Sequence, residues 1–141
     1  MTLDFDVTAA HGKARTGTLH TARGDVRTPC FMPVGTRGAV RHLSSADLED
    51  LGAQIVLANT YHLMLKPGAD LIAQQGGLHR FQDWSGHVLT DSGGYQIFSL
   101  DPGGNVKVDD DGVTFRSTYD GGTHRLTPAS AVAIQTAFGS D

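Results

Sequence analysis

The sequence has one cysteine, few basic residues and no long apolar run. A single cysteine, Cys30, excludes a disulfide framework within the chain and any metal site built from several cysteines. No segment approaches the roughly 20 apolar residues of a membrane-spanning helix, and no apolar signal core stands at the N-terminus. We therefore expect a protein of the cytoplasm with no membrane partner.

Basic residues are outnumbered, because 11 Lys and Arg face 15 Asp and Glu, for a formal net charge of -4. This balance predicts no broad basic surface, so an RNA partner would need basic surface from elsewhere. A hydrophobic content of 39% and a charged content of 18% are typical of a folded globular protein. The 141 residues match one ordinary domain.

The first hundred residues predict a small antiparallel cap followed by parallel strands. Residues 1–30 form the cap, with strands at 5–7, 14–20 and 26–28. Residues 31–100 alternate between apolar strands and helices, which is typical of βα units. The list of expected elements is three strands at 31–34, 55–58 and 88–90, a helix over 46–51 capped by Ser44 or Ser45, a helix over 69–75, and a loop carrying Phe81 and Trp84 against the core.

Residues 101–126 predict a β insertion, and residues 127–139 predict a helix. An Asp-Gly turn at 109–112 separates strands at 106–108 and 113–116, and Thr127 with Pro128 is a typical helix start. Three βα units cannot close a barrel, which needs about eight strands. We therefore expect the chain to be truncated.

The segment from Asp91 to Tyr95 is the strongest candidate for a reactive or ligand-binding site. In parallel α/β folds the reacting groups gather at the carboxyl ends of the strands, where Asn59 and Asp91 would lie. Gly93 and Gly94 would let a flat ligand approach the backbone, Tyr95 could stack on it, and Asp91 could move a proton. The alternative is a tight turn in which Asp91 only binds turn amides and Tyr95 is a core aromatic.

Several other residues could have a functional role, but a structural role is the better interpretation for each of them. His62 could be a metal ligand or a base, but we expect a packed or hydrogen-bonded histidine. The other histidines lack metal-site spacing, so no metal site is expected in this chain. Cys30 is expected to be a small buried side chain, and residues 109–111 a solvated turn rather than a calcium loop.

Five longer strings, in order, resemble the bacterial-type tRNA-guanine transglycosylases (queuine tRNA-ribosyltransferases). They are residues 31–36 (FMPVGT), 59–63 (NTYHL), 89–96 (LTDSGGYQ), 112–117 (GVTFRS) and 126–128 (LTP). The resemblance covers residues 15–141. It implies the N-terminal portion of a (β/α)8 TIM barrel with antiparallel β insertions, which is an α/β fold.

The resemblance also implies a reaction: guanine at the tRNA anticodon wobble position is exchanged for a queuine-type 7-deazaguanine, by double displacement through a covalent RNA-enzyme intermediate. Asp91 falls on the acid/base carboxylate and Asn59 on its polar support. The base-binding segment falls on Asp91, Ser92, Gly93, Gly94, Tyr95 and Gln96. Retaining glycosyl transfer does require two carboxylates, and a flipped base requires a pocket.

Parts that the resemblance implies for the full-length enzyme are absent from this chain. They are the nucleophilic aspartate, a second base-recognising aspartate, and a zinc subdomain with three cysteines and one histidine. No organic cofactor is implied, and a homodimer is. Cys30, Arg41, Lys66 and the segment 101–104 depart from the commonest family pattern.

Alternatives to an active enzyme remain open. We expect this chain alone to be inactive, since it lacks the nucleophile. It could instead be a non-catalytic fragment that binds or assembles with a partner carrying the rest of the barrel. A small α/β-barrel hydrolase using Asp91 with His62 is a third possibility.

Overall fold

The structure, a computed structural model, describes residues 3–101 and 103–141, which form a mixed α/β arrangement. Within these residues there are three small sheets and six short helices. Two sheets are antiparallel and flank a central parallel pair of strands in the sequence.

The N-terminal sheet consists of three antiparallel strands: β1 (Asp4–His11), β2 (Ala14–Thr21) and β3 (Gly24–Thr28). The strands predicted at 5–7 and 14–20 lie within β1 and β2, which extend further. Every residue of β1 is exposed, and Val26 of β3 is buried. His20 lies across the sheet, with its ring nitrogens 2.7 Å from Asp25 Oδ1 and 3.2 Å from Asp6 Oδ2.

The central sheet pairs β4 (Ile55–Ala58) with β5 (His87–Thr90) in parallel, from Ile55 opposite His87 to Ala58 opposite Thr90. The predicted strand at 31–34 is wrong as a strand, because only Val34 forms an isolated parallel bridge, to Leu57. Pro33 accepts a hydrogen bond from Leu57 N at 2.9 Å but has no N–H to donate, which limits a ladder here.

Four short helices precede β5 in the sequence, and one follows it. They are α1 (Ser45–Asp50), α2 (Thr60–Leu65), α3 (Ala69–Gln74), α4 (Gly77–Gln82) and, after β5, α5 (Gly94–Ser99). Ser44 caps α1 in a reciprocal capping box with Asp47, as a cap at Ser44 or Ser45 predicts.

The prediction of a loop after Gly77 is wrong, because α4 occupies this stretch. Gly76 and Gly77, with φ of 93° and 85°, let the chain reverse at the end of α3 and start a new helix at once. Leu78, which is fully buried, holds α4 against the core. The glycine pair therefore separates two helices instead of ending helical structure.

The C-terminal segment forms a three-stranded antiparallel sheet and a helix. Its elements are β6 (Lys107–Asp109), β7 (Gly112–Arg116), β8 (Thr123–Leu126) and α6 (Pro128–Phe138). The Asp-Gly hairpin is present, with Asp109 opposite Gly112. Thr127 caps α6 and Gly139 ends it in the left-handed conformation, as the sequence predicts.

Two apolar clusters form the core, and α2 contributes to both. The first contains Leu48, Val56, Ala58, Leu63, Ile72, Leu78, Trp84, Val88 and Phe138. The second contains Tyr61, Ile97, Phe115, Leu126 and Ala131. Since Leu63 and Tyr61 anchor α2 on opposite sides, Asn59 at its start is held in a fixed position.

Two residues that the sequence predicts to be buried are not fully buried. Trp84 is buried, but Phe81, expected beside it, keeps 36% of its surface exposed. Cys30 is half-buried rather than buried, and the neighbouring Phe31 has 81% of its surface exposed. The apolar run at 30–32 is therefore a surface segment in this structure.

Candidate functional site

Asn59 and Asp91 meet where β4 and β5 end. Ala58 lies opposite Thr90 in the parallel register, so the next residue of each strand emerges at the same edge. Asn59 Nδ2 donates a hydrogen bond to Asp91 Oδ2 at 2.5 Å. The two polar residues that the sequence places at strand ends are thus in direct contact.

The Asp91 carboxylate accepts hydrogen bonds from three further groups. Thr60 N donates to Oδ1 at 2.8 Å, Gly93 N donates to Oδ1 at 3.1 Å, and Gln96 Nε2 donates to Oδ2 at 3.2 Å. An ionised carboxylate only accepts, and all four groups around it donate. The side chain is half-buried, so this environment fixes a carboxylate near the surface without enclosing it in the core.

Gly93 and Gly94 have different reasons to be glycine. Gly93 is buried with φ of 78°, and a Cβ there would lie 3.0 Å from Tyr61 N, which makes it the contact point between α5 and α2. A Cβ on Gly94 would meet only Ser92 Oγ, at 3.5 Å. The first glycine is needed for packing, whereas the second leaves backbone uncovered at the start of α5.

Tyr95 and Gln96 lie on the first turn of α5. The Tyr95 side chain is 79% exposed, so the alternative that it is a core aromatic is wrong. Its stacking on a ligand stays a prediction. Gln96 Oε1 is buried and has no hydrogen-bond partner among the described residues. Gln96, expected to bind substrate, here orients Asp91 through its amide nitrogen.

His62 lies on α2 and is hydrogen-bonded, as expected. Its Nδ1 is 2.9 Å from Tyr119 Oη. Burial lowers the pKa of His62, the Arg37 charge lowers it further, and the Asp91 charge acts in the opposite direction. The hydrogen bonds to the Asp91 side chain in the described residues do not include His62, so the two side chains are not a hydrogen-bonded pair.

A cavity of about 680 Å³ opens beside His62 and was not foreseen from the sequence. It is lined by Arg37, His62, Lys66, Pro67, Phe81, Leu100, Thr118 and Tyr119. Arg37 Cζ lies 5.2 Å from the centre of the Tyr119 ring. These residues come from segments far apart in the sequence, and no motif connects them.

The described residues contain no group of three or more His, Cys, Asp and Glu side chains arranged for a metal ion. The zinc site implied by the resemblance does not fit this chain, which has one cysteine where that site needs three. None of the helices in the described part of the chain has both the length and the apolar character needed to cross a membrane.

These features define an α/β protein with a fixed carboxylate at the carboxyl ends of parallel strands. Residues 10–141 match the family described as queuine tRNA-ribosyltransferase. The chain belongs to this family.

Relatives from several bacteria carry the same name, queuine tRNA-ribosyltransferase. The chain is 52% identical over 140 residues to the protein of Herpetosiphon aurantiacus, covering 98% of this chain and 35% of the relative. It is 54% identical over 142 residues to that of Solibacter usitatus, covering 99% and 37%. It is 56% identical over 135 residues to that of Granulibacter bethesdensis, covering 96% and 35%. The chain thus spans just over a third of these relatives.

Proposed function

We propose that this chain supplies the acid/base carboxylate and part of the base pocket of a tRNA-guanosine(34) transglycosylase, a glycosyltransferase of queuosine biosynthesis. The observation that carries the proposal is the set of four donors that fixes Asp91 beside exposed Tyr95 and the uncovered backbone of Gly94. The names of the relatives agree with it.

In the proposed reaction a carboxylate outside this chain attacks C1′ of the ribose while the bond from C1′ to guanine breaks. Asp91, in its protonated form, would give its proton to the departing base. The ionised carboxylate left behind matches the acceptor-only environment of the structure. It would then take a proton from the entering 7-deazaguanine as that base displaces the enzyme carboxylate from C1′.

Base recognition is proposed for the segment from Asp91 to Gln96. Gly94 would let the planar base approach the main chain, and Tyr95 would stack on it. Ser92 is exposed, and its hydroxyl, which accepts a 3.4 Å hydrogen bond from Gly94 N, still has its own hydrogen to donate. Asn59 would keep Asp91 aimed at the base.

The rest of the enzyme is also a proposal. We place β4, β5 and the Val34 bridge in a (β/α)8 barrel that further residues complete, with a zinc subdomain and a homodimeric assembly. The partners are the tRNA anticodon loop and a guanine or 7-deazaguanine base, in the cytoplasm. No organic cofactor is needed for this chemistry. The alternative is a non-catalytic fragment that only assembles with a partner.

The test is a chimera in which residues 1–141 replace the matching segment of the Herpetosiphon aurantiacus relative. We expect the chimera to exchange labelled guanine into tRNA, and Asp91→Asn to lower turnover by about 10²- to 10⁴-fold. Asp110→Asn, an exposed carboxylate in a turn, is the control and should leave turnover unchanged.

Each other outcome has a defined meaning. Full activity of the Asp91→Asn chimera would refute the acid/base role. An inactive chimera with a native-like circular dichroism spectrum and thermal transition would favour the non-catalytic alternative. Exchange by the 141-residue chain alone would show that the nucleophile lies within this chain, contrary to the proposal.

A further inference from the structure

The sheet of β6, β7 and β8 has no part in the proposed chemistry, yet it packs against the helices that hold Asp91. Phe115 of β7 is buried, and the centre of its ring lies 5.7 Å from the centre of the Tyr61 ring. Both side chains belong to one apolar cluster with Ile97 of α5. This cluster joins β7 to α2 and α5, and both helices carry donors to the Asp91 carboxylate.

The hydroxyl of Tyr61 adds a polar contact between α2 and the turn that follows β7 (residues 117–122). Tyr61 is only 1% exposed, and its Oη lies 3.1 Å from Thr118 Oγ1. A buried phenol hydroxyl needs such a partner, because leaving it unsatisfied costs free energy. Buried Ser117 orders this turn: its Oγ accepts a hydrogen bond from Tyr119 N at 3.1 Å, and its N–H donates to Gly122 O at 2.8 Å. The turn therefore gives the Tyr61 hydroxyl a fixed partner.

The backbone of Tyr61 lies against the segment that carries the carboxylate. A Cβ on Gly93 would lie 3.0 Å from Tyr61 N and 3.4 Å from Tyr61 Cα, so the two segments are in close contact. The preceding residue, Thr60, donates its backbone N–H to Asp91 Oδ1 at 2.8 Å, and Asn59 donates its side-chain amide to Oδ2. A displacement of the first turn of α2 would therefore lengthen two of the four hydrogen bonds to the Asp91 carboxylate.

We propose that Tyr61 is a positioning residue of the transglycosylase reaction, through which the turn after β7 holds the start of α2 and its donors against the Asp91 carboxylate. The inference rests on the proposed function, which makes Asp91 the acid/base group. Because the Tyr61 ring is buried, it acts on the reaction through Asn59 and Thr60 and not by contact with the base. Proton transfer depends on the placement of the carboxyl group, so a loosened α2 slows the chemical step.

The first test removes the hydroxyl bond from either side in the chimera described above. Tyr61→Phe keeps the ring and loses the hydroxyl, whereas Thr118→Val keeps the shape of the side chain and loses its oxygen. We expect each variant to lower kcat roughly three- to tenfold, the effect of one hydrogen bond. Tyr61→Phe should leave KM for tRNA unchanged. The double variant should lose no more than the larger single loss, since both changes remove the same bond.

Two control variants separate positioning from a general loss of stability. Thr8→Val removes a bond of the same length, 3.1 Å between Thr8 Oγ1 and Thr16 Oγ1 on the exposed N-terminal sheet, and should leave kcat unchanged. Thr118→Ser retains a hydroxyl and should retain kcat. The proposal is overturned if Tyr61→Phe keeps full kcat, if its loss lies in KM alone, or if the two single losses multiply in the double variant. An active Asp91→Asn chimera would instead contradict the proposed function, so the two failures are distinguishable.

The second test needs no activity and follows the hydrogen bond from Thr60 N to Asp91 by nuclear magnetic resonance. In the chimera labelled with nitrogen-15 at threonine, the Thr60 amide signal is identified by its loss in Thr60→Ser. A bond to a carboxylate is a strong one and moves an amide proton to higher frequency. We expect Thr118→Val, which leaves the aromatic rings in place, to move this signal to lower frequency, and Thr8→Val to leave it unchanged. A Thr60 signal that does not move in Thr118→Val would overturn the proposal.

Discussion

Asn59 donates its side-chain amide to Asp91 across the ends of two neighbouring parallel strands, at 2.5 Å from Nδ2 to Oδ2. The contact joins residues 32 positions apart in sequence. Because Asn59 is buried and Asp91 is only half-buried, the amide approaches the carboxylate from the protein side.

Replacing Asn59 by alanine should remove one of the four donors to Asp91. We expect a loss of about 1 to 3 kcal/mol in the free energy of unfolding, since the carboxylate loses a buried partner. Urea denaturation followed by tryptophan fluorescence measures it. Asn105→Ala is the matched control, because Asn105 is exposed and donates to Asp101 at a longer 3.4 Å. Equal losses for the two variants would contradict the special position of Asn59.

The glycine pair after Asp91 gives a second prediction. Gly93→Ala should destabilise the protein more than Gly12→Ala, although both glycines have positive φ, of 78° and 60°. The left-handed backbone costs about 1 to 2 kcal/mol in either case. A Cβ at position 93 also lies 3.0 Å from Tyr61 N, whereas one at position 12 meets nothing within 4 Å.

The difference between these two alanine variants isolates the contact of α5 with α2. We expect about 1 to 3 kcal/mol beyond the control, the usual cost of overpacking, measured as free energies of unfolding in urea. If the two variants lose the same stability, α5 can move away from α2, and the hydrogen bond from Gly93 N would not be what holds Asp91.

The contact between Asn59 and Asp91 was predictable because it follows from the topology. Parallel strands bring their carboxyl ends to one edge of the sheet. The polar residues that follow two apolar strands are therefore expected at the same edge. The caps at Ser44 and Thr127 were predictable for a similar reason, since each is a local side-chain bond to the first helical turn.

The features that the sequence did not predict depend on contacts between residues distant in sequence. The segment from Gly76 onward begins with glycines that disfavour a helix, and the helix found there packs on the core through the buried Leu78. The cavity beside His62 was not predicted from the sequence, because Arg37 and Tyr119 lie 82 positions apart and meet only in the folded chain.

The turn between β6 and β7 gives a prediction about pH. Hydrogen bonds from the Arg125 guanidinium, at 2.8 and 2.9 Å, and then from the backbone N–H of Asp111 lower the pKa of Asp109 to about 2. A carboxyl whose pKa is lower when folded contributes stability that is present above its unfolded value of 3.8. That contribution should be lost as the pH falls from 3.8 through about 2.

Carbon-13 NMR titration of the Asp109 carboxyl measures this pKa directly. Arg125→Ala should raise it toward 3.8, and the backbone bonds from Asp111 and Gly112 should keep part of the lowering. Arg125→Lys keeps the charge but loses the forked donor pair, so it should give an intermediate value. An Asp109 pKa that does not respond to either change would show that Arg125 does not bind it in solution.

The last prediction concerns α4, which the sequence pattern did not indicate. Leu78→Ala should reduce the free energy of unfolding by about 2 to 5 kcal/mol, because it leaves a cavity among fully packed side chains. Leu78 has no exposed surface, and it shares its cluster with Ile72, Trp84 and Phe138. Leu71→Ala is the control, since 43% of Leu71 is exposed on neighbouring α3, and it should cost about 1 kcal/mol or less. A Leu78→Ala variant as stable as the control would mean that α4 is not docked on the core. Other contacts would then have to hold the short connection from α4 to β5, and with it the position of Asp91.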